Sequence, residues 1–285
     1  MENSFIVKPF KSPCGAEVIG FDCKRNITKN DFNILNKALL DCCFLVFRDQ
    51  RLDPKNLVNF SQNWGDLQKH ILKQYLLQGF PEVLVVSNKK DHLGKGLGIE
   101  DAGRYWHSDV SYGKNPPMGS LLYCIDTPPI GGDTLFANQY LAFDLIDKNI
   151  INYLKILKGA HSFNYDKLQK RKSSKRIPLT EKQKRELSVI EHPLIRVHPE
   201  TRRECLYANP GFTNHIIDHD SDKGLILLNY LFSCATHPSV IHRHKWEKND
   251  LVFWDNRCLM HRATPFNNIY IRHMYRTTIS SNEGI

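Results

Sequence analysis

The stretch YWHSDVSY, residues 105–112, places a histidine and an aspartate two positions apart inside a run of aromatic and β-branched residues. Read as a β-strand, positions i and i+2 share a face, so His107 and Asp109 converge while Trp106 and Ser108 turn away. An ionised carboxylate on an interior face is costly, and a metal cation removes that cost by supplying the opposite charge. Two histidines and one carboxylate, with three adjacent positions left open, form the facial triad of non-haem Fe(II) oxygenases. The second histidine has to come from elsewhere. His261, in LVFWDNRCLMHRATPF, is the best placed, just past an apolar strand and near a turn. His70, His198, His242, His244 and His273 compete with it among thirteen histidines. Taken alone, an HxD tripeptide is more often a chance pair of surface or hydrogen-bonded residues than a metal site.

Strands surround this motif. GSLLYCID (119–126), DTLFAN (133–138), LIRVHP (194–199), ECLYANP (204–210), VIHRHKW, LVFWDN and YIRHMYRTTIS follow it, and FLVFRDQ and PEVLVVSN (81–88) precede it. Helical spacing marks 28–42, with Thr28 or Asn30 as N-cap, then Asp53 to Trp64, and 221–237. The polar, glycine-rich KKDHLGKGLGIEDAGR that leads into the motif is a candidate lid. Strands clustered in the last third, separated by EKND and PFNN, suit an antiparallel barrel or jelly roll better than a doubly wound sheet. The expected class is mainly β with helices, in one domain spanning 1–285.

On YIRHMYRTTIS, Arg272 and Arg276 lie four positions apart and share a face. Guanidiniums near a metal need anions, and their fork matches a carboxylate or sulfonate. A structural salt bridge or an exposed edge strand would account for them equally well.

Composition excludes several classes. At 41% hydrophobic and 24% charged, the 285 residues suit an ordinary globular protein. No segment approaches the run of about eighteen apolar residues of a membrane span, and no leader pattern opens the chain, so a cytoplasmic protein is expected. The eight cysteines form no CxxC pair and most lie in apolar runs such as LLDCCFLVF, as reduced core residues do. The net charge of +9 admits a nucleic-acid binder, but much of it sits in KLQKRKSSKR (167–176), which lacks interleaved aromatics for stacking and reads as a solvated loop.

Ordered motifs along nearly the whole chain carry a resemblance: GAEVIGFD, FLVFRDQ, WGDL, WHSDVSY, PPIGGDTLFAN, NPGFTNHI, WDNRCLMHRAT and RHMYRTTIS. Together they resemble the Fe(II)- and 2-oxoglutarate-dependent dioxygenases typified by taurine dioxygenase and 2,4-dichlorophenoxyacetate dioxygenase. The resemblance implies a double-stranded β-helix, or jelly-roll, core, with a lid or insertion near 164–187. It implies that His107, Asp109 and His261 hold Fe(2+), and that Thr134 and Arg272 bind the distal carboxylate of 2-oxoglutarate. Arg276 then corresponds to the arginine that takes the acidic group of the substrate, with His70, Phe163 and Phe212 lining the pocket. Dioxygen is the oxidant, and hydroxylation of a small anionic organic substrate, a sulfonate or carboxylate, releases succinate and CO2. The retained Asp109 is unlike the halogenating relatives, which lack that carboxylate. Members commonly form dimers or tetramers, so a homo-oligomer is expected. The alternative is a basic jelly roll that binds or modifies nucleic acid. Two departures separate the chain from the taurine enzyme: Ala102-Gly103-Arg104-Tyr105 replaces an asparagine-rich stretch, and Lys73 stands where a tyrosine is expected.

Overall fold

The structure is a computed structural model and describes residues 5–163, 189–219 and 221–281. The expected insertion at 164–187 and its basic run lie outside the described residues. In chain order the strands are β1 (Ile6–Pro9), β2 (Ala16–Ile19), β3 (Phe44–Phe47), β4 (Leu76–Leu77), β5 (Phe80–Ser87), β6 (Gly119–Asp126), β7 (Thr134–Asn138) and β8 (Lys158–His161). They continue with β9 (Ile190–Pro193), β10 (Ile195–Val197), β11 (Glu204–Leu206), β12 (Thr213–Ile216), β13 (Ile241–His244), β14 (Leu251–Asp255), β15 (Leu259–Ala263) and β16 (His273–Ile279). Helices α1 (Lys29–Cys42), α2 (Pro54–Ser61), α3 (Gln139–Asp144), α4 (Ile151–Ile156) and α5 (Ser221–Ala235) decorate them.

The largest sheet runs β1-β2-β3-β14-β6-β16-β5-β4 and is antiparallel except where β2 meets β3. Alternation gives it two apolar faces. Val46, Leu84, Leu122, Val252 and Met274 point inward, while Leu45, Phe47, Leu121, Leu251 and Phe253 point to the other side. Helices α1 and α2 cover that second side with Leu35, Leu39, Leu57 and Phe60. Thr28 caps α1 in a reciprocal capping box with Asp31, and Asp53 caps α2 before Pro54. Inward, a small sheet β13-β7-β15 lies opposite. Its Phe136 stacks on Phe44 of the large sheet at 4.5 Å, closing the two layers of the jelly roll. The small sheet's far side, with Ala137 and Met260, packs against residues of α3, α4 and α5.

The three expected helices are present as α1, α2 and α5, and each of the nine strands named around the opening motif overlaps an observed one, whereas α3, α4 and the strands β1, β2, β4, β8, β9, β12 and β15 were not expected. Several strands are shorter than expected: β10 ends at Val197 and β11 at Leu206, and β16 begins only at His273, with a register shift there, so Arg272 lies outside the strand expected to carry it with Arg276. Beyond Leu206 the chain turns, because the Asn209 side chain accepts a hydrogen bond from the Phe212 amide, and Pro210-Gly211 cannot extend a strand. The expected lid at 89–104 is tied back onto β5. Asp91 Oδ1 accepts from the amides of Leu93 and Lys95, and the Ile99 amide donates to the Val85 carbonyl. All eight cysteines are free thiols, and all but the half-buried Cys42 are buried. Among the described residues no helix is long and apolar enough to cross a membrane.

Two stability predictions follow from this packing. Leu39 is fully enclosed between α1 and the sheet, so Leu39→Ala should cost about 2–5 kcal/mol, read as a lowered urea midpoint at unchanged slope. His161 is also fully buried, and burial pushes its ring down to about 3 from 6.5. Below 6.5 the unfolded chain takes a proton that the folded ring refuses, so stability drops as the pH falls, by about 1.4 kcal/mol per pH unit until the folded value is reached. In His161→Gln the fall in urea midpoint between about pH 6.5 and 4.5 should be shallower by about one proton. An unchanged slope would show that His161 is charged in the fold.

Candidate metal centre

His261 owes its inward direction to alternation along β15. Leu259 belongs to the inner core and Met260 to the outer one, so the next side chain returns to the interior. The segment carrying His107 is joined to it by a reciprocal backbone bridge: the His107 amide donates to the His261 carbonyl at 3.1 Å and the His261 amide to the His107 carbonyl at 2.8 Å. The expected strand through 105–112 is therefore reduced to a single bridge at His107. Asp109 lies in a turn, and Val110 adopts a φ of 50°, which a β-branched residue in a strand cannot have. Convergence of His107 and Asp109 comes from that turn rather than from strand alternation.

Side-chain atoms of His107, Asp109 and His261 lie within 4.8 Å of one another, and all three residues are buried. His107 Nδ1 is 2.8 Å from the Tyr105 carbonyl, which fixes it as the protonated nitrogen and leaves Nε2 aimed at Asp109 Oδ1, 3.7 Å away. Asp109 Oδ2 accepts from the Ser120 hydroxyl at 2.7 Å, and Oδ1 accepts from Arg276 Nη1 at 2.7 Å. His261 Nδ1 is buried without a hydrogen-bond partner. Burial lowers both histidines, His261 to about 3, and keeps them neutral. Burial alone would raise Asp109, but Arg276, the two histidines and Ser120 outweigh it and hold the carboxyl well below the usual carboxylate range. Two neutral imidazoles and one carboxylate, with an imidazole nitrogen left unsatisfied, are a donor set that fits a divalent transition metal.

The rival histidines are accounted for elsewhere. His198 lies 3.0 Å from Asp255. With Cys258 that pair makes a second group close enough to hold a metal, but Arg257 already takes both oxygens of Asp255. His242 stacks on Phe10, His244 approaches Asp250, and His273 meets Ser87.

A narrow cavity of about 50 Å³ opens beside the triad. His70, Phe163, Phe212 and Arg276 line it together with His107 and Asp109. An outer cleft of about 310 Å³ shares His70, Val110 and Tyr112 with it and adds Lys69 and Lys73. Gly103, one of the departures from the taurine enzyme, has a φ of 69°, and a Cβ there would press on His107 at 3.3 Å. Arg272 lies apart from the cavity lining. It is buried, its Nε donates to the Gly132 carbonyl, and it has no carboxylate partner among the described residues. Burial pushes its pKa down to about 10. The Gly131-Gly132 turn against which it packs has positive φ at both residues, and a Cβ on Gly132 would meet Pro128 at 2.8 Å and Arg272 at 3.3 Å. That turn leads into Thr134, whose hydroxyl accepts from Trp246 Nε1.

Residue patterns missed several parts of the site. Tyr105 and Tyr112, at the two ends of the opening motif, form aromatic walls, with Tyr105 5.7 Å and Tyr112 4.8 Å from Phe212. Ser120 braces Asp109 and is itself held by Asn256, whose Oδ1 accepts from Trp254 Nε1. The WDN motif thus supports the carboxylate. A buried serine on a strand otherwise apolar through Cys124 was the available signal for it.

A family model described as "Taurine catabolism dioxygenase TauD, TfdA family" matches residues 6–278. A Saccharomyces cerevisiae protein named alpha-ketoglutarate-dependent sulfonate dioxygenase is 31% identical over 242 residues, covering 82% of this chain and 57% of that protein. The alpha-ketoglutarate-dependent 2,4-dichlorophenoxyacetate dioxygenase of Burkholderia sp. (strain RASC) is 30% identical over 243 residues, covering 82% and 80%. The crystal structure of AAD-2 in complex with Mn(II) and N-oxalylglycine superposes with a TM-score of 0.82 at 26% identity, covering 99% of each chain.

If the triad is the metal site, removing one of its histidines and removing the arginine should act oppositely on metal binding. In calorimetric titrations with Mn(II), His107→Ala and His261→Ala should each lose about 100-fold or more in affinity. Arg276→Gln, which frees Asp109 Oδ1 from a competing cation, should bind at least as tightly as the wild type. Equal losses in all three variants would mean that the three ligands do not act as the site.

Proposed function

The chain belongs to the TauD/TfdA family of 2-oxoglutarate-dependent dioxygenases, and from that membership we propose that it hydroxylates a small anionic organic substrate, a sulfonate or a carboxylate. In this reading His107, Asp109 and His261 hold Fe(II). The bound iron, 2-oxoglutarate and O2 together supply the oxidising power: one oxygen atom enters a substrate C–H bond, the other goes into succinate, and CO2 leaves. The protein's own residues bind, orient and exclude water.

The observation that carries the substrate class is Arg276. Its guanidinium reaches a cavity walled by Phe163, Phe212, Tyr105 and Tyr112, and among the described residues its only side-chain hydrogen bond is to Asp109, with Nε left unsatisfied. An acid group of a substrate can take the guanidinium while the aromatic rings hold the apolar body. His70, on the same cavity, supplies a polar edge. Arg272 and Thr134 suit the distal carboxylate of 2-oxoglutarate, because a buried guanidinium without a carboxylate partner among the described residues calls for an anion. N-oxalylglycine, bound in the AAD-2 structure, is 2-oxoglutarate with one methylene replaced by NH, and this supports the same cosubstrate here. The relatives' names span sulfonates and phenoxyacetates, in keeping with an arginine anchor that accepts either acid.

Mixing Fe(II) and 2-oxoglutarate with the protein in the absence of oxygen should give the visible charge-transfer band of the chelate, and His107→Ala should lack it. In turnover with a substrate found by screening organic acids for succinate release, Arg272→Ala should raise the KM for 2-oxoglutarate by about tenfold or more. Arg276→Ala should instead raise the KM for the organic acid. A rise in the 2-oxoglutarate KM of the same size in both variants would sink the division of labour.

A further inference from the structure

The chain from Lys69 to Lys73 forms a thin wall between two spaces. His70 and Leu72 line the narrow inner cavity beside the triad, while Lys69, Ile71 and Lys73 line the outer cleft. Backbone pairing holds this wall to β16: the Gln68 amide donates to the Thr278 carbonyl at 2.8 Å, and Leu67 bridges to Ile279. His70, Val110 and Tyr112 line both spaces, so the two meet at these residues. On β16, Arg276 lines the inner cavity and Thr278 the outer cleft. These two residues share a face of the strand, about 7 Å apart. Pockets for organic ligands commonly run to about 300 Å³ or more. At about 50 Å³ the inner cavity is too small for the body of an organic acid, and the outer cleft supplies about 310 Å³ beyond it.

The charge of the outer cleft is one-sided. Lys69 and Lys73 are exposed and form no ion pair among the described residues, and no acidic side chain lines the cleft with them. In the inner cavity Arg276 is the one lysine or arginine among the described lining residues. Two anion-binding points therefore face joined spaces from their far ends. Resting on the reading that Arg276 takes an acid group, we propose that the substrate is a two-headed anion, an elongated organic molecule with an acid at each end. Arg276 holds one acid, and Lys73 and Lys69 receive the other in the outer cleft, where Gln68 and Thr278 add an amide and a hydroxyl. A substrate with a single acid leaves the lysines hydrated and gains nothing from them. Each ion pair with an exposed lysine is weak alone, so the preference is set by the two together and by the length of the body between the acids. Lys73, which stands where the taurine enzyme is expected to carry a tyrosine, is thereby a specificity residue. It selects for length and second charge, apart from the chemistry at the metal.

The test uses the whole protein loaded with Mn(II) and N-oxalylglycine, in calorimetric titrations at fixed ionic strength. The probes are octanoate and decanoate against the α,ω-dicarboxylates of the same lengths, suberate and sebacate. The better dicarboxylate should bind at least about threefold tighter than its monocarboxylate, beyond the statistical gain of two equivalent heads, as two partly exposed ion pairs supply. A protein carrying both Lys69→Met and Lys73→Met should lose that advantage and still bind the monocarboxylates within about twofold of the wild type. Lys73→Glu should reverse the preference, favouring the ω-amino acid of the same length over the dicarboxylate. Arg276→Ala should weaken both classes. Dicarboxylates that bind no tighter than monocarboxylates, while Arg276→Ala still weakens both, overturn this inference and leave the anionic-substrate reading standing. An advantage that the double lysine variant keeps in full does the same. Failure of all four acids to bind overturns the inference together with the reading beneath it.

Discussion

Everything the site can do depends on the pair of backbone hydrogen bonds between His107 and His261. These residues are separated by more than half the chain, yet each amide donates to the other's carbonyl, and their rings come within 4.2 Å. The bridge fixes the spacing of two imidazoles before any side-chain preference acts. It also ends strand geometry at the point where the chain must turn to bring Asp109 back. Sheet pairing supplies the rigidity, since β15 is clamped to β7 along five residue pairs that include His261 with Phe136. A loop-borne histidine would not hold its place to the tolerance a metal centre demands.

The electrostatic character of this region is an excess of positive charge with few acids to meet it. Among the described residues Arg272 and Arg196 are both buried without a carboxylate partner, and the carboxylate that meets Arg276 is that of Asp109. A protein interior tolerates such groups when anions arrive from outside, as a cosubstrate or substrate would. Ionised Asp109 is shared between Arg276 and the space where a cation fits. In the proposed reading, metal and substrate loading would be coupled through this one carboxylate.

The chemistry was easier to read from the sequence than the local geometry. β6, β14 and α1 were placed within a residue or two, α1 by the helical stripe it buries against the sheet, β6 and β14 as short apolar runs bounded by turns, since both faces of these strands are covered. The same rule misjudged 105–112. Its aromatic and β-branched residues mimic a strand, while the positive φ of Val110 is imposed by tertiary pairing that no local window contains. His261 could be singled out among thirteen histidines only by its neighbourhood in a motif. Its partnership with His107 needed the fold. Ser120 shows in the sequence only as a polar residue in an apolar run, because its importance lies in a carboxylate held in a turn eleven residues earlier.

Trp254 gives the site an optical consequence. Its indole is almost fully enclosed, lies 4.8 Å from the His261 ring, and donates to the Asn256 amide that steadies Ser120 beneath Asp109. An enclosed indole emits at short wavelength, and an open-shell metal ion would drain that emission if it sat on the adjacent imidazole as proposed. Occupancy of the proposed centre would then be written into the protein's own ultraviolet fluorescence, with no dye or tag required to read it.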